Sequence, residues 1–302
     1  MNKQELAAMV AEILGNVGKE PMVKGSDYRP ASPGPQPRDS GFRDGDFVPD
    51  VTQLDLRKLY LTEQPADPEG FRRLKERTPA RLGSGRAGPR YKTLTMLRFR
   101  ADHAAAQDAV FSQVAEDFAQ KHDLLPVQTR CENKDMYLTR PDLGRIFDEE
   151  NQNKLRSAIT GKPRVLLVVG DGLSSAAIEA NAMDCMAAIR DGLRAKGIET
   201  GKAVFVRYCR VGAGDAIGEV TGCELVCVLV GERPGLVTDK SMSAYITYGP
   251  HIGSLESSRT VVSNIHAQGT PAVEAGAHIA QLIHTILEKK VSGVGLHLEG
   301  GQ

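Results

Sequence analysis

The sequence predicts an α/β fold whose C-terminal half is built on a mainly parallel sheet, and three observations predict it. The runs Arg164–Val169, Val204–Tyr208 and Leu225–Val230 are apolar and rich in β-branched residues throughout, as strands buried on both faces are. Each run breaks into a glycine turn or a charged cluster: Gly170-Asp171-Gly172, Arg207-Tyr208-Cys209-Arg210 and Gly231-Glu232-Arg233-Pro234. Helical stretches separate them, a long one reaching about Lys196 and a short one around Asp215–Glu219. This alternation is Rossmann-like, and in such sheets ligands sit at the carboxyl ends of the strands. The stretch Val204–Pro234, read as two adjacent strands with charged ends, is therefore expected to form the lip of a binding crevice.

Composition narrows the function classes. The chain has 302 residues, and its 38 basic side chains balance 38 acidic ones, so only local charge can guide a partner. Balanced charge, few aromatic residues and no tryptophan argue against nucleic acid as a ligand. Cysteines at 131, 185, 209, 223 and 227 form no CxxC pair, which favours reduced, buried thiols in a cytoplasmic protein over a disulfide framework or zinc site. No apolar run is long enough to cross a membrane, and no secretory leader is expected.

The chain in order reads as follows. Leu6, Met9, Val10, Ile13, Leu14 and Val17 make a continuous apolar stripe on a helix over residues 1–18. Residues 19–50 are rich in Pro, Gly, Asp, Arg and Ser and read as a flexible linker. The helix either folds back on its own domain or docks on another protein as a helix-in-groove ligand. Residues 51–150 read as a helical, partner-facing region: a helix, a Pro65–Pro68 turn, a helix from Pro68, a strand at Thr93–Phe99, a helix over Asp102–Lys121, a short strand near Met136 stopped by Pro141, and a helix from Asp142. Between Phe71 and Arg100, ten Lys or Arg face one acid, Glu76, in a patch suited to phosphate or an acidic partner, or simply to solvent. Gly83–Gly88 spells GxGxxG, but no strand precedes it and Pro89 follows, so it is no dinucleotide fingerprint. His103 reads as a capping or packing residue.

Residues 151–302 carry the sheet. After the first strand, Gly170–Ser175 has the strand, turn and helix context of a dinucleotide loop, yet its third glycine is Ser175, and Asp171 would oppose a pyrophosphate. The next strand ends in Arg207 and Arg210, where NAD would need an acid. NADP stays open on that basis, while Asp171 and Ser174 fit better as capping groups that also offer hydrogen bonds to a neutral, amide-bearing ligand. Ser241–Tyr248 is a further strand, Glu256–His266 holds another apolar run, and a last helix spans Pro271 to Lys290 before a fraying Gly-rich tail. Asn264-Ile265-His266-Ala267-Gln268-Gly269 is similar to the Asp-x-His-x-x-Gly motif of some cobalamin proteins, with Asn replacing the Asp that would orient the histidine.

Several blocks read together carry a resemblance: Ala80–Leu82 with Gly85–Arg90, Leu97–His103, Tyr137–Gly144, Asp171–Ser174, Val206–Tyr208 with Arg210-Val211, Ile217–Glu219, Val230–Leu236, and Ser263–His266 followed by Gly269–Pro271. In this order, over about residues 75–290, the chain resembles the small subunit of ethanolamine ammonia-lyase, an adenosylcobalamin-dependent enzyme that converts ethanolamine to acetaldehyde and ammonia by radical rearrangement. Residues 19–70 show no such pattern, and the opening helix matches only in type.

The resemblance implies that this chain covers one side of the cobalamin while a large subunit carries substrate and the catalytic groups, so no catalytic residue is assigned here and the chain is inactive alone. Val211, Glu232 and Val261 fall where the family contacts cobalamin. Glu232 would accept N–H bonds from corrin-rim amides, and the backbone at Val211 and Val261 would pair with further amides and the nucleotide loop. Arg210 and Arg233 either bind the nucleotide phosphate or form ion pairs with Glu232 and Asp215. No metal ligand is assigned, because the family retains dimethylbenzimidazole on the lower face and His266 would not reach cobalt. The basic loop Arg81–Arg90 is expected to face the large subunit. Enzymes of ethanolamine utilisation are packaged in bacterial microcompartments, so residues 1–18 resemble an encapsulation peptide for the shell or its cargo. Two rivals stand beside this reading: an NADP oxidoreductase using Gly170–Ser175, and a non-catalytic scaffold acting through its basic loop.

Overall fold

The computed structural model describes residues 50–78 and 80–298. The expected helix over 1–18, the linker up to residue 49 and the last four residues of the tail lie outside them. A six-stranded sheet organises the C-terminal half. In chain order its strands are β1 (Leu125–Gln128), β2 (Val165–Gly170), β3 (Val204–Arg207), β4 (Leu225–Gly231), β5 (Met242–Tyr248) and β6 (Arg259–Ile265). Their spatial order is β1-β3-β2-β4-β5-β6. The first four run parallel, and β5 and β6 close the sheet antiparallel.

The uniformly apolar runs are central because both faces of the sheet are covered. On one face Val165, Leu167, Val169, Cys227 and Leu229 pack under helices α6 (Ser175–Arg194) and α8 (Ala272–Lys289). On the other, Leu166, Val168, Val226 and Val228 meet α5 (Glu149–Ala158) and α7 (Ala213–Thr221). Each such side chain removed from water contributes about 1.5–3 kcal/mol, so the register is fixed by burial on both sides.

The region before the parallel core departs from expectation in several places. Among the described residues of 51–82 the only helical segments are a 3-10 turn at Val51–Gln53 and helix α1 (Pro68–Glu76), whose Asp67 cap accepts from the Gly70 amide at 2.8 Å. Thr93–Phe99 is not a strand; it is the first third of helix α2 (Thr93–Phe111). The Ala-rich second half of α2 favours helix, and once nucleated the helix propagates back through a segment that has no strand to pair with. The predicted Asp102–Lys121 helix thus starts earlier and breaks at Ser112, with a separate turn α3 at Phe118–Lys121. Met136 lies in helix α4 (Lys134–Thr139), because the Asn133 side chain caps it by accepting from the Met136 amide at 2.9 Å. After Asp142 there is only a 3-10 turn at Leu143–Arg145, and α5 starts at Glu149. Strand β1 escaped sequence reading because Pro126 interrupts its pattern, and an edge strand tolerates a proline. A last turn of helix, α9 (Val294–Leu298), follows α8.

Candidate functional site

Strands β2 and β3 are neighbours whose chains leave in opposite directions, β2 into α6 on one face and β3 into α7 on the other. Such a divergence opens a crevice at the carboxyl edge. The sequence reading made β3 and β4 adjacent; in the structure β2 lies between them. The crevice therefore has three walls, contributed by the loops after β2, β3 and β4.

The loop after β2 is filled by protein groups. Asp171 is 1% exposed and accepts from the Ser175 hydroxyl at 2.7 Å, the Arg207 guanidinium at 3.1 Å and the Val114 amide at 3.3 Å. Ser174 caps α6, accepting from the Ala177 amide at 3.0 Å and donating to the Asp239 carbonyl. The Leu173 amide donates to Gly231 O at 3.3 Å. A Cβ on Gly231 would lie 2.0 Å from the Ser174 carbonyl oxygen, so the end of β4 presses against this loop where only glycine fits. The anion cradle of a dinucleotide loop is thus taken up internally, and Arg207, which an NADP site would need, is turned inward onto Asp171 and Val114 O.

The arginines do not make the ion pairs considered from sequence. Asp215 pairs with Arg259, bidentate at 2.7 and 2.9 Å, and clamps α7 to the start of β6. Burial works against the Arg259 charge, but its hydrogen bonds to Asp215 and Glu256 outweigh that and raise its pKa. Arg210 donates to the Tyr137 carbonyl at 2.8 Å and lies 4.2 Å over the Tyr137 ring. Arg233 is exposed, and among the described residues neither Arg210 nor Arg233 is paired with a carboxylate.

Glu232 stands at the carboxyl end of β4, beside the ends of β5 and β6. Its carboxylate accepts from Ser241 Oγ at 2.7 Å, from Ser243 Oγ, and from the Asn264 amide at 3.4 Å, so it ties the ends of β4, β5 and β6 together. It remains half-buried. Ladder pairing sets Val230 beside Ser243, Val228 beside Tyr245, and Tyr245 beside Val261, which places these residues on the α7 face. Val211 packs half-buried against the same core just before α7, while Val261 is 46% exposed. The three residues singled out from sequence, Val211, Glu232 and Val261, thus border one face. Asp171 and Ser174 are buried in the turn after β2. Ser241, Ser243 and Tyr245 went unassigned; the alternation Ser-Met-Ser-Ala-Tyr was the signal, but only strand pairing shows that it faces Glu232.

His266 is 7% exposed and committed locally. The Gln268 amide donates to Nδ1 at 3.2 Å, so Nε2 carries the proton and donates to Asn264 Oδ1 at 2.8 Å. Of the basic patch, Lys75 is buried on the Leu56 and Leu82 carbonyls, and Arg81 and Arg98 pair with Asp102 at 2.7 and 2.9 Å. Arg72, Arg73, Arg77, Arg86, Arg90 and Arg100 stay exposed. Among the described residues, no helix is long and apolar enough to cross a membrane, and no cluster of His, Cys, Asp and Glu has metal-ligand geometry.

Comparison with known proteins fits this architecture to one family. The family model for the ethanolamine ammonia-lyase light chain (EutC) matches residues 68–297. The chain belongs to the ethanolamine ammonia-lyase small-subunit family. The small subunit of Clostridioides difficile strain 630 is 53% identical over 297 residues, covering 98% of this chain and all of the relative. That of Listeria monocytogenes serotype 4b is 53% identical over 296 residues, again 98% of this chain and all of the relative. That of Fusobacterium nucleatum is 51% identical over 288 residues, or 95% of this chain and 97% of the relative. The likeness extends beyond the 75–290 span recognisable by motif, into residues where sequence reading found no pattern. Membership makes this chain a subunit of a carbon–nitrogen lyase acting on ethanolamine.

Proposed function

We propose that this chain covers one side of adenosylcobalamin in an ethanolamine ammonia-lyase whose large subunit supplies substrate binding and catalytic groups. The observation that carries the proposal is the pair of exposed positions Val261 and Ser263 on β6 with half-buried Tyr245 beside them, next to a carboxylate that two serines hold in place. The residues present fit such a cofactor. Val211, Tyr245 and Val261 give a flat, largely apolar rest for a macrocycle, and Glu232, held as an acceptor by Ser241 and Ser243, suits the amide N–H groups around a corrin rim. Arg210 and Arg233 stand one residue from Val211 and Glu232 and offer guanidinium groups to its single phosphate. Asp171 and Ser174, expected from sequence to meet the ligand, are buried and hold the turn after β2, so in this reading they position the loop. The cofactor would supply radical chemistry through its cobalt–carbon bond; this chain binds, orients and excludes water.

Turnover tests the division of labour. Chain plus large subunit plus adenosylcobalamin should convert ethanolamine, and either subunit alone should not. Full activity of the large subunit alone would reduce this chain to a scaffold. Glu232→Ala should weaken cobalamin retention more than subunit association; equal loss of both would assign Glu232 to the subunit interface instead. The segment 1–18 is proposed as the packaging signal for a bacterial microcompartment. Its deletion should leave assembly intact and abolish co-fractionation with shells, and unchanged co-fractionation would refute that role.

A further inference from the structure

The cobalamin reading leaves part of the basic patch without a role. Arg81 and Arg98 are held by Asp102, whereas Arg72, Lys75 and Arg77 gather on helix α1 beside Arg57 and Lys58. These last five side chains line one groove of about 680 Å³, whose acids are Asp55 and Glu76. Asp55 is already committed: Arg57 donates to both of its carboxylate oxygens at 2.9 Å, and those bonds hold its pKa down to about 2. Lys58, Arg72 and Arg77 are exposed, and among the described residues none of them has a carboxylate partner. Lys58, Arg72, Lys75 and Arg77 therefore share the groove with a single uncommitted acid, Glu76.

Lys75 distinguishes this groove from a solvated face. The residue is 6% exposed, and its ammonium donates to the Leu56 carbonyl at 3.0 Å and to the Leu82 carbonyl. An ammonium has three N–H donors, so one remains. Neither acceptor carries a charge, and burial pushes the Lys75 pKa down from the ordinary lysine value. A buried cation without a counter-ion is costly, and an anion in the groove would offset that cost. The two carbonyls come from segments before and after α1, so the ammonium is fixed in place before any ligand arrives. The groove is far roomier than one phosphate group needs, and a chain of phosphoryl groups reaches several of its cations at once.

We propose that this groove beside α1 binds a phosphoanhydride, with linked phosphoryl groups bridging Lys75, Arg72 and Arg77. Lys58 adds charge at the same groove, and Thr78 a hydroxyl. The site uses none of the residues assigned to cobalamin, and its test needs no turnover. Titration calorimetry of the full chain assembled with its large subunit, in about 0.15 M salt, uses pyrophosphate, adenosine triphosphate and sulfate as probes. Pyrophosphate should bind on the order of tenfold more tightly than sulfate. Arg72→Gln and Arg77→Gln, both at exposed positions, should each weaken pyrophosphate on the order of tenfold, while Arg90→Gln, exposed but outside the groove, should leave it unchanged. Lys75→Met would also remove a tie between two segments, so the exposed arginines carry the test. Adenosine triphosphate bound as tightly as pyrophosphate, with the same losses in the variants, would make the source a nucleotide; pyrophosphate bound alone would make it a free polyphosphate. No pyrophosphate binding, binding no tighter than sulfate, or an equal loss in Arg90→Gln would overturn the proposal. So would unchanged pyrophosphate affinity in Arg72→Gln and Arg77→Gln with weakened subunit association, which would give the groove to an acidic polypeptide segment. Cobalamin retention in the same variants should not change, so failure of this site and failure of the cobalamin reading are distinguishable.

Discussion

Replacing Asp171 by alanine tests whether this carboxylate supports the fold or faces a ligand. In the native chain it accepts from Ser175 at 2.7 Å, Arg207 at 3.1 Å and the Val114 amide at 3.3 Å, and is 1% exposed. Without it, Arg207 keeps only the Val114 carbonyl at 2.8 Å and stands unneutralised beside Lys134. Breaking a buried pair from one side costs about 3–5 kcal/mol. The retained Val114 bond and the 16% exposure of the Arg207 side chain favour the low end, about 3 kcal/mol. For a chain of this size that lowers the Tm by about 5–6 °C. Thermal and urea unfolding of the full chain measure it, and the double variant Asp171→Ala with Arg207→Met should recover part of the loss by removing the stranded cation. A destabilisation below about 1 kcal/mol, together with weakened cobalamin retention, would refute the reasoning and make Asp171 a ligand contact.

Three further outcomes are expected. Gly231→Ala should destabilise by about 1–3 kcal/mol in urea unfolding, because its Cβ would meet the Ser174 carbonyl at 2.0 Å and backbone must move; a neutral effect would mean the contact is looser than described. Burial raises the thiol pKa of all five cysteines, that of Cys185 up to about 12, so iodoacetamide at pH 8 should label none in the native chain and all five in urea. The same shifts give alkaline sensitivity: the unfolded thiols ionise first, so above pH 9 the unfolded state binds fewer protons and each buried thiol removes up to about 1.4 kcal/mol per pH unit. A stability curve flat from pH 9 to about pH 11 would contradict that burial.

The parallel core was legible in the sequence because a strand buried on both faces must be apolar at every position, which few other elements require. Strands β2, β3 and β4 and helices α6, α7 and α8 follow from that constraint to within a residue or two. The region before the sheet was not legible, since Thr93–Phe99 and Met136–Thr139 have compositions compatible with strand or helix. What decides them is nucleation and capping, through the Ala-rich continuation of α2 and the Asn133 cap.

The candidate site divides along the same line. The sequence by itself determined that Glu232 and its neighbours stand at the carboxyl ends of the strands and that the blocks resemble one family. Only the tertiary structure decided that β2 separates β3 from β4, that Asp215 takes Arg259 and Asp171 takes Arg207, and that Arg210 is left without an anion. The physical reason is range. Hydrophobic periodicity reports the environment of each residue locally, whereas a carboxylate with several arginines in reach chooses by geometry, and these partners lie 36 and 44 residues apart in the chain.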